Sequence, residues 1–248
     1  MGVGTQKASL ANKPRVALDS IVQHERTSPP WQCWIEQRSL IIRLPQIWQV
    51  LSWAPLGGGS GRARVIVNHQ VRIGDRAATE DPGRYLAALM SMLGFKAVSA
   101  VAMMTGVPIR RVSRATVRRG NLVVAAWCTA GCSNALRIGD TATAGKTEPG
   151  TINIVAAVNQ ALSPAAMAEA LAMVTEARVA AMQDAGVAST RTQRPATGTG
   201  TDCIAIASPM RGRVHTYCGK HTLIGELIGR AAIRSCTNAL RRWPSWAS

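Results

Sequence analysis

The chain has 248 residues and a mass of 26.3 kDa, a length that fits one large domain or two small ones. Hydrophobic residues make up 47% of it, close to the globular average, so a buried core can form. The sequence has no run near the ~18 consecutive apolar residues of a membrane-spanning helix, and no apolar signal-peptide segment at its start. We therefore expect a cytoplasmic protein without a membrane partner.

The formal net charge is +16, and nearly all of the positive charge comes from arginine. A basic chain raises the hypothesis of nucleic-acid binding. The main cluster contains Arg110, Arg111, Arg114, Arg118 and Arg119, and no aromatic residue lies among them to stack on bases. Nucleic-acid binding therefore stays an alternative that rests on charge alone.

Six cysteines and four histidines are spread along the chain without CxxC or HExxH spacing. Such spacings are typical of protein zinc sites. Cys128 and Cys203 lie in apolar runs, which is typical of small buried hydrophobes rather than of a disulfide framework. We expect free thiols, a reducing compartment and no metal site of the protein's own.

The N-terminal residues 1–36 lack sustained periodicity, so they predict a poorly ordered extension that precedes the main domain at 37–248. Two short strands are predicted at 39–44 and 48–53, on either side of Pro45. The domain is therefore expected to begin with strands rather than with a helix.

The next segment, 62–73, alternates and places Asn68 and His69 on opposite faces of one strand. Further strands are predicted at 97–104, 112–117, 122–128, 151–158 and 204–207. The predicted helices run over 79–94, from a Ser163 cap to Gly186, and over 220–240. This mixed order predicts a single α+β domain, with a mixed β-sheet core covered by about three main helices.

Two segments of the C-terminal half gather polar groups at the ends of apolar elements. In 196–208 (ATGTGTDCIAIAS) a Gly/Thr-rich turn leads through Asp202 into a strand, and in 219–229 (GKHTLIGELIG) Lys220 and His221 open a helix. Loops on a rigid scaffold build many binding sites in this way. The simpler interpretation of each segment is a turn or a helix cap.

These two segments and six others resemble the adenosylcobinamide amidohydrolase family of corrinoid salvage. The others are VLSWAPLGGG (50–59), VIVNHQV (65–71), MMTGV (103–107), TAGCSNALRIGD (129–140), GTINIVAAVNQALS (150–163) and TEARVAAMQDAGV (175–187). All eight stand in the family's order over about three quarters of the chain, the size of one domain.

The resemblance implies hydrolysis of the amide that joins aminopropanol to a propionate side chain of adenosylcobinamide. The products would be adenosylcobyric acid and 1-amino-2-propanol. A corrinoid is then the substrate, and cobalt arrives inside it, so that no separate cofactor is implied. A non-catalytic corrinoid-binding protein is the main alternative, and homo-oligomerisation is left open.

Amide hydrolysis needs a nucleophile, a group that stabilises the oxyanion and an acid for the leaving amine. In one route Asp202 or His221 activates water, while Lys220 or the N–H groups of the 198–201 loop face the oxyanion. In the other route a hydroxyl or thiol attacks, and the candidates are Thr197, Thr199, Thr201, Cys128 and Thr151. We take Asp202, His221, Lys220 and Thr199 as the predicted catalytic set.

The pair Gly150-Thr151 has two interpretations. At a strand start it is similar to self-cleaving amidases that expose an N-terminal Thr, and it is also a plain turn-to-strand boundary.

The predicted substrate-binding residues are polar side chains within these motifs. They are Asn68, His69, Asn134, Asp140, Thr151, Asn153, Thr197, Thr201, Thr222 and Glu226. Each has a structural alternative: a histidine on an apolar face is typical of a core residue, and Asn and Asp are typical turn formers. The catalytic hypothesis requires that Asp202 and His221 converge on one cavity.

Overall fold

The computed structural model describes residues 29–142 and 150–243. In these residues the chain forms twelve strands and four α-helices. The strands are β1 (Gln32–Glu36), β2 (Ser39–Ser52), β3 (Gly59–Gln70), β4 (Ala100–Thr105), β5 (Ser113–Arg119), β6 (Leu122–Ala130), β7 (Ala135–Leu136), β8 (Ile152–Val158), β9 (Ala161–Leu162), β10 (Gly198–Thr199), β11 (Cys203–Ser208) and β12 (Val214–His215). The helices are α1 (Arg76–Glu80), α2 (Pro82–Met92), α3 (Pro164–Asp184) and α4 (Leu223–Arg241).

Eight strands form one mixed sheet. Its order is β4-β3-β2-β11-β8-β6-β5, and β1 pairs with part of β2. The pairs β3–β4 and β11–β8 are parallel, and the other pairs are antiparallel. Two small sheets, β7–β10 and β9–β12, lie at the ends of the large one.

The large sheet folds over, so that its two halves face each other. The Nδ2 atom of Asn153 on β8 donates to the carbonyl oxygen of Met104 on β4, although three strands lie between β8 and β4 in the sheet order. An inner core fills the space between the halves, with Ile66 from one half and Val155 and Trp127 from the other.

Helices cover both outer faces of this folded sheet. Helix α2 packs on the outside of β2, β3 and β4, whereas α3 and α4 pack on the outside of β8, β6 and β11. The layers are therefore helix, sheet, sheet and helix. This arrangement confirms the predicted α+β class and the mixed sheet covered by about three main helices, and α1 adds a single short turn.

Capping residues set the helix starts where the sequence indicates them. The Ser163 hydroxyl accepts from the N–H of Ala166, and Pro164 occupies the first turn of α3. Asp81 caps α2, and because its backbone is not helical it also separates α2 from α1. The Asp81 cap and Pro82 at the first helical position are as the sequence predicts, whereas residues 79–80 of the predicted helix belong to α1. None of the helices in the described ranges is long and apolar enough to cross a membrane.

The region around Pro45 differs from the prediction, because β2 is one strand of 14 residues and not two. Its pairing with β3 is interrupted between Arg43 and Trp48 and then resumes. Proline has no N–H to donate to a ladder, so it is tolerated at such an irregularity.

The domain begins before the boundary predicted at residue 36. β1 lies within the segment assigned to the extension, and Trp31 is buried against the rings of Trp48 and Trp127, with centroids 6.1 and 5.9 Å away. Hydrogen bonding to β2 and aromatic packing therefore hold residues 31–36 in the domain. Residues 1–28 of the predicted extension lie outside the described residues.

Candidate active site

The two faces of β8 separate the core from the polar groups. Ile152, Ile154 and the following even-numbered residues point toward α3 and α4. The odd-numbered residues point into the space between the sheet halves, where Val155 joins the inner core. Thr151 and Asn153 therefore lie at the polar end of this inner layer.

Asn153 is the centre of a hydrogen-bonded network with side chains from two other strands. Its Nδ2 donates to Asn68 Oδ1 at 2.9 Å and to the Met104 carbonyl at 2.7 Å, and Asn68 Nδ2 donates to Thr129 Oγ1 at 3.0 Å. All three polar side chains are buried. The structure thus brings together two predicted binding residues, Asn68 and Asn153, with Thr129, which was not predicted.

Two buried amide oxygens at this end have no hydrogen-bond partner among the described residues: Oδ1 of Asn153 and Oδ1 of Asn134. Asn134 precedes β7, and its oxygen lies directly against Gly150, only 2.2 Å from where a Cβ would stand. Leaving a buried acceptor unpaired costs about 1–3 kcal/mol. Such groups are suited to receive a donor from a ligand.

Thr151 begins the polar face of β8 and is covered by Thr201. The Thr201 hydroxyl donates to the Gly150 carbonyl oxygen at 3.0 Å, and it lies 2.6 Å from the Thr151 hydroxyl. Thr151 is 7% exposed, whereas Thr201 and Gly200 face solvent. The two threonines, 50 residues apart in sequence, form a hydroxyl pair just below the surface.

Asp202 positions the turn that carries these threonines. Its carboxylate accepts from the N–H of Thr199 at 2.8 Å, from the Thr199 hydroxyl and from the N–H of Ile152 at 2.9 Å. Arg178 of α3 adds an ion pair at 2.9 Å, with both side chains largely buried. Four donors therefore occupy this carboxylate, which ties the turn to the start of β8.

Two other predicted binding residues also hold loops in place. Thr197 Oγ1 accepts from the N–H of Ile138 at 2.8 Å. Asp140 accepts from the Ser189 hydroxyl, from the N–H of Arg137 and from the Thr192 hydroxyl, and these bonds lower the pKa of its carboxyl. These contacts give both residues a structural role in the loops that surround β7 and β10.

The start of α4 lies away from this group. Glu226 pairs with Arg119 at 3.5 Å, and Arg119 is opposite Leu122 at one end of β6, whereas Ile152 is opposite Ala130 at the other end. The seven residues of β8 separate these ends by about 20 Å. Glu226 therefore cannot contact the Thr151 region.

The polar residues just before α4 lie at or near the surface. Lys220 pairs with Glu176 on the exposed side of α3, Thr222 caps α4 by accepting from the N–H of Gly225, and His221 is exposed beside Gly219. Within the described residues no hydrogen bond or ion pair joins His221 to Asp202. The structure does not bring the predicted catalytic pair together.

His69 lies on the outer face of β3, opposite to Asn68. Its Nδ1 is 2.8 Å from the Ser39 hydroxyl and its Nε2 is 3.2 Å from the Tyr85 hydroxyl. Burial, and to a smaller extent the charge of Arg38, lower its pKa to about 4. This environment is that of a neutral core histidine, the structural alternative given for it.

Cys128 faces the helix layer rather than the polar cluster. Its thiol interacts with Cys236 of α4, and this contact together with burial raises its pKa well above the ordinary range. A protonated thiol in the core is a poor nucleophile.

A family model for adenosylcobinamide amidohydrolase matches residues 25–248. The chain belongs to the adenosylcobinamide amidohydrolase family. It is 30% identical over 224 residues to an uncharacterized protein, MJ1613, of Methanocaldococcus jannaschii, covering 83% of this chain and 86% of the relative. It is 29% identical over 195 residues to an adenosylcobinamide amidohydrolase of Halobacterium salinarum, covering 75% and 78%.

Two solved structures are also similar to this member of the family. One is the L-aminopeptidase D-Ala-esterase/amidase of Ochrobactrum anthropi, a variant of the Ntn hydrolase fold, with 12% identity, a TM-score of 0.39 and coverage of 85% and 82%. The other is the PH0078 protein of Pyrococcus horikoshii, with 10% identity, a TM-score of 0.42 and coverage of 86% and 84%.

Sequence reasoning missed Arg178 and Thr129 in this member of the family. Arg178 interrupts the apolar stripe of α3, and a charged residue at a core-facing helical position signals a buried partner. Thr129 stands near the end of an entirely buried strand, where a lone hydroxyl needs a hydrogen-bond partner. Neither signal identifies the ion-pair or hydrogen-bond partner, because Asp202 and Asn68 are distant in sequence.

Proposed function

We propose that the protein hydrolyses the aminopropanol amide of adenosylcobinamide, giving adenosylcobyric acid and 1-amino-2-propanol. The observation that carries this proposal is the family match over residues 25–248, which includes every residue of the polar cluster. The reaction would return scavenged cobinamide to an intermediate of cobalamin biosynthesis. Cobalt takes part only as a constituent of the substrate.

Thr151 is the proposed nucleophile. Its hydroxyl attacks the amide carbonyl, 1-amino-2-propanol leaves with a proton, and water then hydrolyses the Thr151 ester to release the acid. Two observations support this choice over the others predicted from sequence. The Asp202 carboxylate is already occupied by four donors, and the Cys128 thiol is buried on the opposite face of the sheet.

The surrounding amides suit an amide substrate. Asn134 and Asn153 each have an unpaired Oδ1 that can accept an amide N–H, and the NH2 group of Asn134 can donate to a carbonyl on which negative charge develops. Because Thr151 and Asn153 are almost fully buried, only a slender group can reach them. The aminopropanol amide stands at the end of a flexible propionate side chain, so the macrocycle itself can stay outside.

Trp53 offers a surface for that macrocycle. Its indole is 47% exposed, and its Nε1 donates to the Asp202 carbonyl oxygen at 2.6 Å, which fixes the ring beside the turn that covers Thr151. Large flat aromatic surfaces that are held in place bind apolar rings at small entropic cost.

The test is incubation of purified protein with adenosylcobinamide and detection of adenosylcobyric acid by mass spectrometry. Conversion by the wild type and by Thr116→Ala, an exposed threonine of β5, but not by Thr151→Ala, supports the proposal. Tight binding without conversion would instead identify a corrinoid-binding protein. Affinity for DNA or RNA that falls steeply with salt, without any effect of the corrinoid, would favour the nucleic-acid alternative.

A further inference from the structure

In the described part of the chain, no general base contacts Thr151. Among the described residues, the hydrogen-bonded partner of its hydroxyl is another hydroxyl, that of Thr201. The Asp202 carboxylate is occupied by its four donors. Burial raises the pKa of Cys132 to about 12 and that of Cys203 to about 11, so both stay protonated at neutral pH. A neutral threonine hydroxyl is a weak nucleophile without a base.

The same contacts favour an attack of the Thr151 hydroxyl on the preceding peptide bond. Thr201 has one hydroxyl proton and donates it to the Gly150 carbonyl oxygen, which polarises this carbonyl. The Thr151 hydroxyl must then be the donor in the 2.6 Å contact with Thr201. With its proton directed to Thr201, the Thr151 oxygen keeps its lone pairs free toward the adjacent Gly150 carbonyl carbon.

Gly150 is required by the close approach of Asn134. A Cβ at this position would stand 2.2 Å from Asn134 Oδ1 and 2.9 Å from the Ser133 hydroxyl. The Asn134 amide is 7% exposed and its oxygen has no partner among the described residues. A half-turn of this amide would place its NH2 group beside Gly150, whose carbonyl gains negative charge during an attack.

We propose that the protein cleaves its own Gly150–Thr151 peptide bond, and that the Thr151 α-amino group released in this step is the base of the active site. The Thr151 oxygen forms an ester with the Gly150 carbonyl carbon, and the Thr151 nitrogen leaves and takes a proton. Water then hydrolyses the ester, which leaves a carboxylate on Gly150 and restores the Thr151 hydroxyl. The net reaction consumes one water molecule.

The released amine has the properties that the intact site lacks. An α-amino group has a pKa of about 7.7–8.0, so a useful fraction is unprotonated near neutral pH. It belongs to the same residue as the hydroxyl and can take that proton directly or through Thr201. This catalytic role rests on the proposed function, whereas the cleavage itself does not depend on any substrate.

The experiment follows the purified full-length chain over time at neutral pH by denaturing gel, mass spectrometry and N-terminal sequencing. We expect two fragments, residues 1–150 and 151–248, with the second beginning Thr-Ile-Asn-Ile-Val and the pair heavier than the intact chain by one water. Thr151→Ser should still cleave, because it keeps the hydroxyl. Thr151→Ala should stay intact, and hydroxylamine, which attacks esters, should accelerate cleavage of the wild type.

Several outcomes would overturn the proposal. A wild-type chain that stays intact while it hydrolyses adenosylcobinamide would show that the proposed function holds without processing. Cleavage of Thr151→Ala at the same bond would show that another protease acts. Circular dichroism of Thr151→Ala and Thr151→Ser establishes that both variants are folded. Cleaved protein that fails to hydrolyse the corrinoid would overturn the proposed function but not the self-cleavage.

Discussion

Four donors meet the single carboxylate of Asp202, and this residue shows how a structural anchor can resemble a general base in the sequence. An aspartate after a glycine-rich turn is expected in either role. The contacts with Arg178, Thr199 and Ile152 assign it to positioning, since each oxygen already serves a backbone or side-chain donor.

Asp202→Asn should destabilise the protein by about 3 kcal/mol, because it leaves the buried Arg178 without its counter-ion. The midpoint of urea unfolding measures this loss. The pH profile of kcat/KM should keep the shape of the wild-type profile while its amplitude falls. A profile that loses its acidic limb would instead make Asp202 the general base.

His69 should make stability depend on pH. Its pKa is lowered from 6.5 to about 4 in the folded state, so between these values the unfolded chain binds a proton that the folded chain does not. Stability is thus fully present above pH 6.5 and falls as the pH drops toward 4, by about 3 kcal/mol in total. Urea unfolding of the wild type and of His69→Gln at pH 7 and pH 5 should show a smaller decrease in the variant.

Trp53→Ala should raise KM for adenosylcobinamide about tenfold, which corresponds to about 1.4 kcal/mol of lost contact with the macrocycle. Because the indole does not touch the reacting amide, kcat should change less than KM. Tyr217→Ala, which removes another exposed ring, is the control and should leave both constants near the wild type. Equal effects of the two variants would show that Trp53 does not bind the macrocycle specifically.

At the scale of elements, β8 combines two environments in seven residues. One face builds the core with α3 and α4, and the other carries Asn153 into the polar cluster. A strand buried on both faces shows no alternation of apolar and polar residues, so the pattern TINIVAAV does not reveal which face is functional. The folded sheet decides this, since it places β4 across from β8.

Substitutions on the two faces of β8 should therefore differ, one lowering stability and the other activity. Ile154→Val removes one methylene from the core and should cost about 1 kcal/mol of stability with unchanged kcat/KM. Asn153→Ala breaks the bonds to Asn68 and Met104 and should lower kcat/KM strongly. Thermal unfolding and steady-state kinetics of both variants measure the two effects, and a loss of activity in Ile154→Val would contradict the separation.

Across the whole molecule, the start of α4 and the Thr151 region lie at different places on the sheet. His221→Ala and Lys220→Ala should therefore keep kcat/KM within about twofold of the wild type, because surface substitutions away from a site have small effects. Thr151→Ala should lower it by a factor on the order of 10³ or more. Steady-state kinetics on adenosylcobinamide compares the three variants. A large loss of kcat/KM in His221→Ala would instead support His221 as a catalytic residue.

The sequence by itself determined the local features: the helix start at Ser163, the faces of β3 on which Asn68 and His69 lie, the α+β class and the family. Each of these depends on residues close together in the chain. Only the tertiary structure decided which polar side chains meet. Asn68 and Asn153 become neighbours because the sheet folds over, and Thr151 and Thr201 because β8 and β11 pair side by side. Contacts across 50 or 85 residues leave no periodic signal in the sequence.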